Sequence, residues 1–456
     1  MLEDLPLHLD RDATRPLSVQ IADQLRRAAT TGPLRGGDRL PSTRALADRL
    51  GVSRTVVSTA YDQLHAEGWI NGRRGSGTYL TTAPADMPAR TISSSSTDAA
   101  PRLFDLSPGA PCVEAIDPAA WRRAWRAAAD HAPLVRKDRA GEPEFRTAVT
   151  EHLLRHRGIG AGSGTVLLAT AGTSAAVGEL AAALLRPGDA VAMEDPGYQR
   201  AAGAFAAAGL DVIAVPVDGD GLRVDLLPPR IKAVYCTPAH QFPLGARMPA
   251  ARRVELVEHA RRSGIFVIED DYDGELRYDT APLPLLATMA PDVVVHLGTT
   301  SKILSPSLGV GWLLAAPEIA EAVLAHRERT GTGPSPAGQR VLVALAAHGD
   351  LARHLRRLRR ALPPRRALVV TELRRRGLGV LGDDAGSHVV VPVESARAER
   401  RVVAAGLACG VALDGLARYH LGARREHFGV ALGYTALPWP ELAAAVPLAA
   451  ACLTRP

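Results

Sequence analysis

Of the 54 basic residues in this 456-residue chain only three are lysines, Lys137, Lys232 and Lys302. Arginine serves wherever positive charge alone is wanted. A retained lysine offers something a guanidinium cannot: an amine that loses its proton and forms a Schiff base with an aldehyde. Lys302 lies in Gly298-Thr299-Thr300-Ser301-Lys302, directly after the apolar run Val293–Leu297. By itself it could be a surface lysine, so its companions along the chain matter. Asp270-Asp271-Tyr272-Asp273-Gly274 ends another apolar run. A buried carboxylate at a strand's C-terminal edge can keep a pyridine nitrogen protonated, and a phenol two residues on can bond an oxygen on the same ring. An Asp pair also serves as a cap or turn. Ala169-Thr170-Ala171-Gly172-Thr173-Ser174-Ala175 follows a strand pattern and opens a helix, where small residues leave backbone N–H groups free for a phosphate. Tyr198, in Glu194-Asp195-Pro196-Gly197-Tyr198, could stack on a planar ring. His240, in Pro238-Ala239-His240-Gln241, could touch such a ring or be a satisfied loop histidine. An amine, a ring-nitrogen partner, a phosphate turn and a stacking aromatic are the needs of a pyridoxal phosphate site.

These residues must be positioned by strands. Thr165–Ala169, Ala190–Glu194, Val212–Val217, Ala233–Thr237, Phe266–Asp270, Val293–Leu297 and Gly311–Ala315 read as short buried strands separated by Ala/Leu/Arg helices. That alternation predicts an α/β domain with a mostly parallel seven-stranded sheet. From about 317 the chain reads as helical to roughly 376. It then alternates strands and helices, so a smaller α+β lobe is expected over about 317–456. Residues 82–101 are rich in Ser, Thr, Ala and Pro and poor in large apolar side chains, which is linker composition. Three regions follow: 1–81, a linker over 82–101, and 102–456. Net charge is +6 with arginines spread along the chain, which permits a polyanionic partner. The four cysteines are far apart and form no C-x-x-C, which argues against a disulfide framework or zinc site and fits a reducing compartment. With no signal-peptide layout and no apolar run of ~18 residues, a cytoplasmic protein with no membrane partner is expected.

The first region has its own grammar. Pro16-Leu17-Ser18 opens an amphipathic helix with Ile21, Leu25 and Ala28 on one face. Ser42 or Thr43 can cap a second helix through Leu50, and Gly51 stops it. Ser53 caps a third helix from Arg54 to about Glu67. Two short helices joined by Gly-Val-Ser form a helix-turn-helix whose second helix would enter a major groove. Asn71-Gly72 signals a hairpin, with the basic, glycine-rich tip Arg73-Arg74-Gly75-Ser76-Gly77.

The stretch Leu40-Pro41-Ser42-x-Arg44-x-Leu46-Ala47, Gly51-Val52-Ser53-Arg54-Thr55-Val56, Ala60-Tyr61-x-x-Leu64-x-x-Glu67-Gly68 and Arg74-Gly75-Ser76-Gly77-Thr78 resembles the winged helix of GntR-type regulators. By that resemblance Arg44, Ser53, Arg54 and Thr55 would meet double-stranded operator DNA, and Arg73, Arg74, Gly75 and Gly77 would form the wing. With the residues around Lys302, the whole chain resembles the MocR/GabR-type regulators, in which such a reader is joined to a fold-type I aminotransferase domain. Trp121-Arg122-Arg123, Gly141-x-Pro143-x-Phe145-Arg146 and Pro187-Gly188-Asp189 extend the match.

The resemblance implies pyridoxal 5'-phosphate on Lys302, with Asp270 at the ring nitrogen, Tyr272 at the 3-oxygen and Tyr198 stacked. Thr173, Ser174 and Thr299 would face the phosphate, and His240 would lie nearby. It also implies a head-to-tail homodimer, with pyridoxal phosphate or a small amine as effector; a catalytically active aminotransferase with an accessory DNA-binding domain, and a regulator whose degenerate domain works without cofactor, are the open alternatives. Arg200 would meet an effector's carboxylate or be a helix-surface arginine. Three positions depart from the pattern. Gly309 stands where an arginine usually clamps the phosphate, Arg136 where a tyrosine usually crosses the dimer, and Ser174 where a glutamine is common. Arg136 from the second subunit is expected to return the charge absent at Gly309. The segment Phe428–Tyr434 also lacks the arginine that usually grips a substrate's α-carboxylate.

Overall fold

The computed structural model describes residues 7–30, 34–73, 77–81, 103–159, 164–278, 283–382, 384–422 and 425–454. The chain forms two compact units, Met1–Asp98 and Ala99–Pro456.

In the first unit, helix Leu17–Thr30 buries Ile21, Ala22, Leu25 and Ala29. Ala28, three residues after Leu25, packs partly buried against the same core, and Ala29, four after, is fully inside it. Helix Thr43–Leu50 is capped by Ser42, whose hydroxyl accepts from Ala45 N at 3.1 Å. Gly51 ends it at φ 63°, and Ser53 caps helix Arg54–Ala66. Arg39–Leu40, Gly77–Leu80 and Ile70–Arg73 form a three-stranded antiparallel sheet in that spatial order. Leu46, Val57, Ala60, Leu64, Ile70 and Leu80 close one core between helices and sheet. This is a winged helix-turn-helix.

The second unit is built on eight strands in the order Val166–Thr170, Gly311–Ala315, Val294–Thr299, Phe266–Asp271, Ile231–Cys236, Ala190–Asp195, Asp211–Asp218, Gly221–Leu222. The five from Val294–Thr299 to Asp211–Asp218 run parallel. The seven expected strands are present, and the eighth is the two-residue Gly221–Leu222, a hairpin partner of Val217–Asp218 too short to show a pattern. Both faces of the sheet are covered, which is why its strands are mostly apolar. Ala169, Val267, Val294 and Trp312 point into one core, and Leu168, Ile268, Val295 and Leu313 into the other.

The expected lobe boundary near 317 moves. Helix Pro317–Thr330 places Ala320 and Val323 in the core of the large sheet, and Pro336–Ala347 places Val341, Leu342 and Leu345 on its opposite face. The long helix Asp350–Arg375 bridges the lobes: Leu351, Leu355, Leu358 and Leu362 belong to the large core, Val369, Val370 and Leu373 to a second core. That second core lies on the antiparallel strands His388–Pro392, Gly429–Gly433 and Asp414–Gly415, with helices Ala396–Ala408 and Trp439–Leu453. It also takes in Leu106, because Phe104–Asp105 pairs in parallel with Val411–Ala412. The small lobe thus includes residues from both ends of this unit.

Candidate functional site

The chemically able residues meet at the C-terminal ends of the parallel strands. Lys302 follows Val294–Thr299, and Asp270 lies in the neighbouring strand, in register with Leu297. Parallel pairing carries both chains past the sheet edge on the same side, so residues 32 positions apart in sequence become neighbours. Burial pulls the Lys302 ammonium below its usual pKa, and the carboxylates of Asp273 and Asp270 partly offset this. Its Nζ donates to the carbonyl of Gly109.

Asp270 is buried. Its Oδ2 accepts from the Tyr235 phenol at 2.5 Å, and its Oδ1 has no hydrogen-bond partner among the described residues. Burial pushes this carboxyl up to about 7, against the pull of the Tyr235 phenol and the Thr173 hydroxyl. The Tyr272 phenol, expected at the ring's 3-oxygen, has protein neighbours of its own. Its oxygen is 3.0 Å from His240 Nδ1, which also lies 2.8 Å from Asp273 Oδ2. His240 is thus a buried member of the site, and its Nε2 has no partner among the described residues. His388 of the small lobe packs against it, with ring centroids 5.6 Å apart, and burial drops the His388 pKa to about 4.

The turn before helix Thr173–Leu184 is shaped by Gly172, at φ 112°, with no side chain capping the helix. The first N–H groups of that helix are therefore available to an anion. A Cβ on Gly172 would lie 3.7 Å from Thr299 Oγ1, which donates to Ser301 Oγ at 3.0 Å. Tyr198 OH is 3.1 Å from Ser174 Oγ, and its ring meets Phe242 edge-on at 5.9 Å. Arg200, exposed in the first turn of helix Gln199–Ala207, is close enough to bond the Tyr198 phenol and to oppose the Lys302 charge.

Two residues stand apart. Gly309 ends a short turn at φ 56°, and a Cβ there would meet none of the described residues within 4 Å. Arg136 is exposed on the loop before Gly141, beside Val135, which is 99 % exposed. Where the carboxylate-gripping arginine was missed, Val430 and Ala431 are buried, and Ala431 packs with Phe242, Tyr272 and Tyr419.

The donor set fits pyridoxal phosphate at its two ends: an unpartnered, buried Asp270 oxygen for a ring nitrogen and a hydroxyl-lined helix terminus for a phosphate. The fit is poorer at Gly309, which has no side chain for the phosphate. Tyr235, Asp273 and Gly109 were not singled out from sequence. Tyr235 is one aromatic within an apolar strand, and Pro108-Gly109 carries only a turn signal.

In the first unit Arg44, Ser53, Arg54 and Thr55 are exposed along the helix-turn-helix, with Arg54 Nε 3.3 Å from Thr43 Oγ1. Gly77, at φ 111°, leaves room for the Arg39 guanidinium, whose Nε would lie 2.8 Å from a Cβ there. Arg39 is an exposed cation next to the wing that the motif alone did not mark. Arg73 is described as strand backbone only, and Arg74, Gly75 and the linker 82–101 lie outside the described residues.

Residues 17–80 match the family model for bacterial regulatory proteins of the gntR family, and residues 101–411 that for aminotransferase class I and II. The chain is 32% identical over 460 residues to the probable rhizopine catabolism regulatory protein MocR of Rhizobium meliloti, covering 94% of this chain and 92% of that one. The chain belongs to the GntR/MocR-type transcriptional regulators. Among its relatives is the HTH-type pyridoxine biosynthesis transcriptional regulator PdxR of Corynebacterium glutamicum, 37% identical over 81% of each chain. The fold of the second unit is that of a Pyrococcus horikoshii kynurenine aminotransferase (TM-score 0.70, 24% identity, 77% of this chain and 91% of that one). As a GntR/MocR-type regulator the chain is a DNA-binding protein with an aminotransferase-like domain. No helix among the described residues is long and apolar enough to cross a membrane.

Proposed function

We propose that this regulator binds pyridoxal phosphate through Lys302 and alters its hold on operator DNA when it does so. The observation that carries this reading is the pairing of Lys302 with Asp270. A half-buried amine with a lowered pKa stands one strand from a buried carboxylate that has a free oxygen. When bound, pyridoxal phosphate supplies an aldehyde that traps an amine and a pyridinium ring that withdraws electrons.

The chain's residues do the rest. Asp270 holds the proton at the ring nitrogen, and Tyr235 fixes that carboxylate. Tyr198 covers one face of the ring. Tyr272 and His240 lie toward the 3-oxygen, and Thr173, Ser174 and Thr299 face the phosphate. The signal is the cofactor itself or an amine that competes for it. Arg200 is the cation available to an effector's carboxylate. Two features favour the cofactor: the apolar Val430 and Ala431, and the likeness to a pyridoxine biosynthesis regulator. They also argue against efficient turnover of α-amino acids. The active assembly is a head-to-tail homodimer in the cytoplasm, in which Arg136 of the second subunit returns the charge missing at Gly309. The turn at Gly309, open and uncharged, favours a second reading in which the domain works without cofactor.

The deciding experiment is the absorption spectrum of the full-length protein after incubation with pyridoxal phosphate and desalting, beside Lys302→Ala. A retained visible band that the substitution removes is expected. Absence of the band in both proteins would favour the cofactor-free reading.

A further inference from the structure

Residues 104–110 are held by the small lobe. Phe104 N donates to Gly410 O at 2.9 Å and Leu106 N to Ala412 O at 3.0 Å. Gly433 N donates to Leu106 O at 2.6 Å, and Thr435 Oγ1 donates to Ala110 O at 2.6 Å. Leu106 is buried in the small lobe's core. The exception is Gly109, whose carbonyl accepts from Lys302 Nζ, a residue of the large lobe. The approach is close and specific. Gly109 sits at φ 95°, and a Cβ there would come 3.0 Å from Nζ, so the position suits glycine on both counts. The lysine proposed as cofactor anchor is therefore also a tie between the lobes. In sequence, that tie falls on the first described stretch after Thr81, the last described residue of the DNA-binding unit.

Resting on the reading that Lys302 takes up the cofactor, we infer that the Gly109 carbonyl reads the covalent state of Lys302 and passes it to the segment 104–110. A free lysine ammonium has three N–H donors and can satisfy Gly109. On condensing with an aldehyde, the amine nitrogen of Lys302 forms a bond to carbon and gives up its two hydrogens, which leave with the aldehyde oxygen as water. The nitrogen, now doubly bonded to carbon, carries at most one proton. Gly109 then faces at most one N–H, fixed in the plane of the C=N bond, in place of three that rotate freely, so its hydrogen bond is weakened or lost and segment 104–110 is left with its small-lobe hydrogen bonds. The segment loosens from the large lobe at the point where the chain continues back toward the DNA reader. An amine effector that displaces Lys302 from the cofactor restores the donor and the tie. The two ligands are thus expected to act with opposite sign.

Hydrogen exchange read by mass spectrometry tests this on the full-length protein. Wild type and Lys302→Met are compared with and without pyridoxal phosphate, with the visible spectrum recorded on the same samples. Met keeps the side chain's length and has no donor. In wild type, cofactor uptake should speed exchange in the peptide covering 104–110 by roughly tenfold, the effect of losing one hydrogen bond to a charged group. Lys302→Met should show the fast rate without cofactor and no further change with it. Peptides of the strands Phe266–Asp271 and Ile231–Cys236 should keep their protection in both and report that the fold is intact. If they do not, Lys302→Ala is read in the same way. Wild type that takes up cofactor, by its spectrum, with no change in this peptide would overturn the inference while leaving the binding proposal standing. So would a substituted protein as protected as wild type. Wild type that shows no cofactor band would instead sink the binding proposal, and the substitution alone would then decide the Gly109 tie.

Discussion

Asp270 uses its two oxygens unequally. One accepts from Tyr235, and the other, buried, has no partner among the described residues. The consequence is a carboxyl whose pKa burial raises to about 7. In the unfolded chain it titrates near ~4. Between those values the folded state holds a proton that the unfolded chain has lost, so this group's stabilising effect is full below ~4 and is lost as pH rises to about 7. Asp270→Asn keeps the shape and cannot ionise. Its thermal midpoint relative to wild type, both without cofactor, should therefore climb as pH rises from about 5 to about 7.5. A difference that stays flat across that range would mean Asp270 ionises normally. Lys302 and Asp270 stood out in the sequence because Asp270 ends an apolar run and Lys302 follows closely on another. Tyr235 was not, since strand alternation reports which face a residue takes and not which side chain it meets there.

At the scale of elements, local chemistry was the most readable layer. Ser42, Gly51 and Ser53 occupy the cap positions that their residue types favour, and the helices between them begin and end there. Replacing Ser53 with Ala should cost about 1 kcal/mol, the usual effect of removing a serine N-cap. Urea unfolding of the full-length protein, followed at the peptides of the first unit, would show it, and an unchanged midpoint would mean water replaces the cap. The helices Pro317–Thr330 and Pro336–Ala347 were the harder case. Their apolar stripes say that each covers something, but whether that is the large sheet or the small one depends on where the chain has already turned. The same limit hid the strand Phe104–Asp105, two residues long, whose partner lies about 300 positions away.

For the whole molecule the predictions concern partners. Arg54→Ala and Arg44→Ala should each weaken operator binding and lower the slope of log affinity against log salt by about 1, as expected for one lost phosphate contact. An unchanged slope would move that arginine off the DNA backbone. Arg136 is exposed within one chain, so its proposed role exists only in a dimer. If it supplies the phosphate's missing cation, Arg136→Ala should raise the Kd for pyridoxal phosphate by roughly tenfold or more, the scale of one charge-assisted hydrogen bond. Equal affinity in a titration of both proteins would remove Arg136 from the site.

The sequence alone determined the two kinds of domain, the strands of the large sheet and the DNA reader. The elements follow from periodicity, caps and spacing, which act between near neighbours, while the roles expected of the residues around Lys302 and on the DNA reader rest largely on the resemblance to MocR/GabR-type regulators. Tertiary structure decided which oxygen of Asp270 stays free, that Tyr272 turns to His240 and Asp273, and that Gly109 meets Lys302. Such pairings join residues up to 193 positions apart. They are set by parallel strand register and by how the two lobes close, and neither leaves a mark in the local order of residue types.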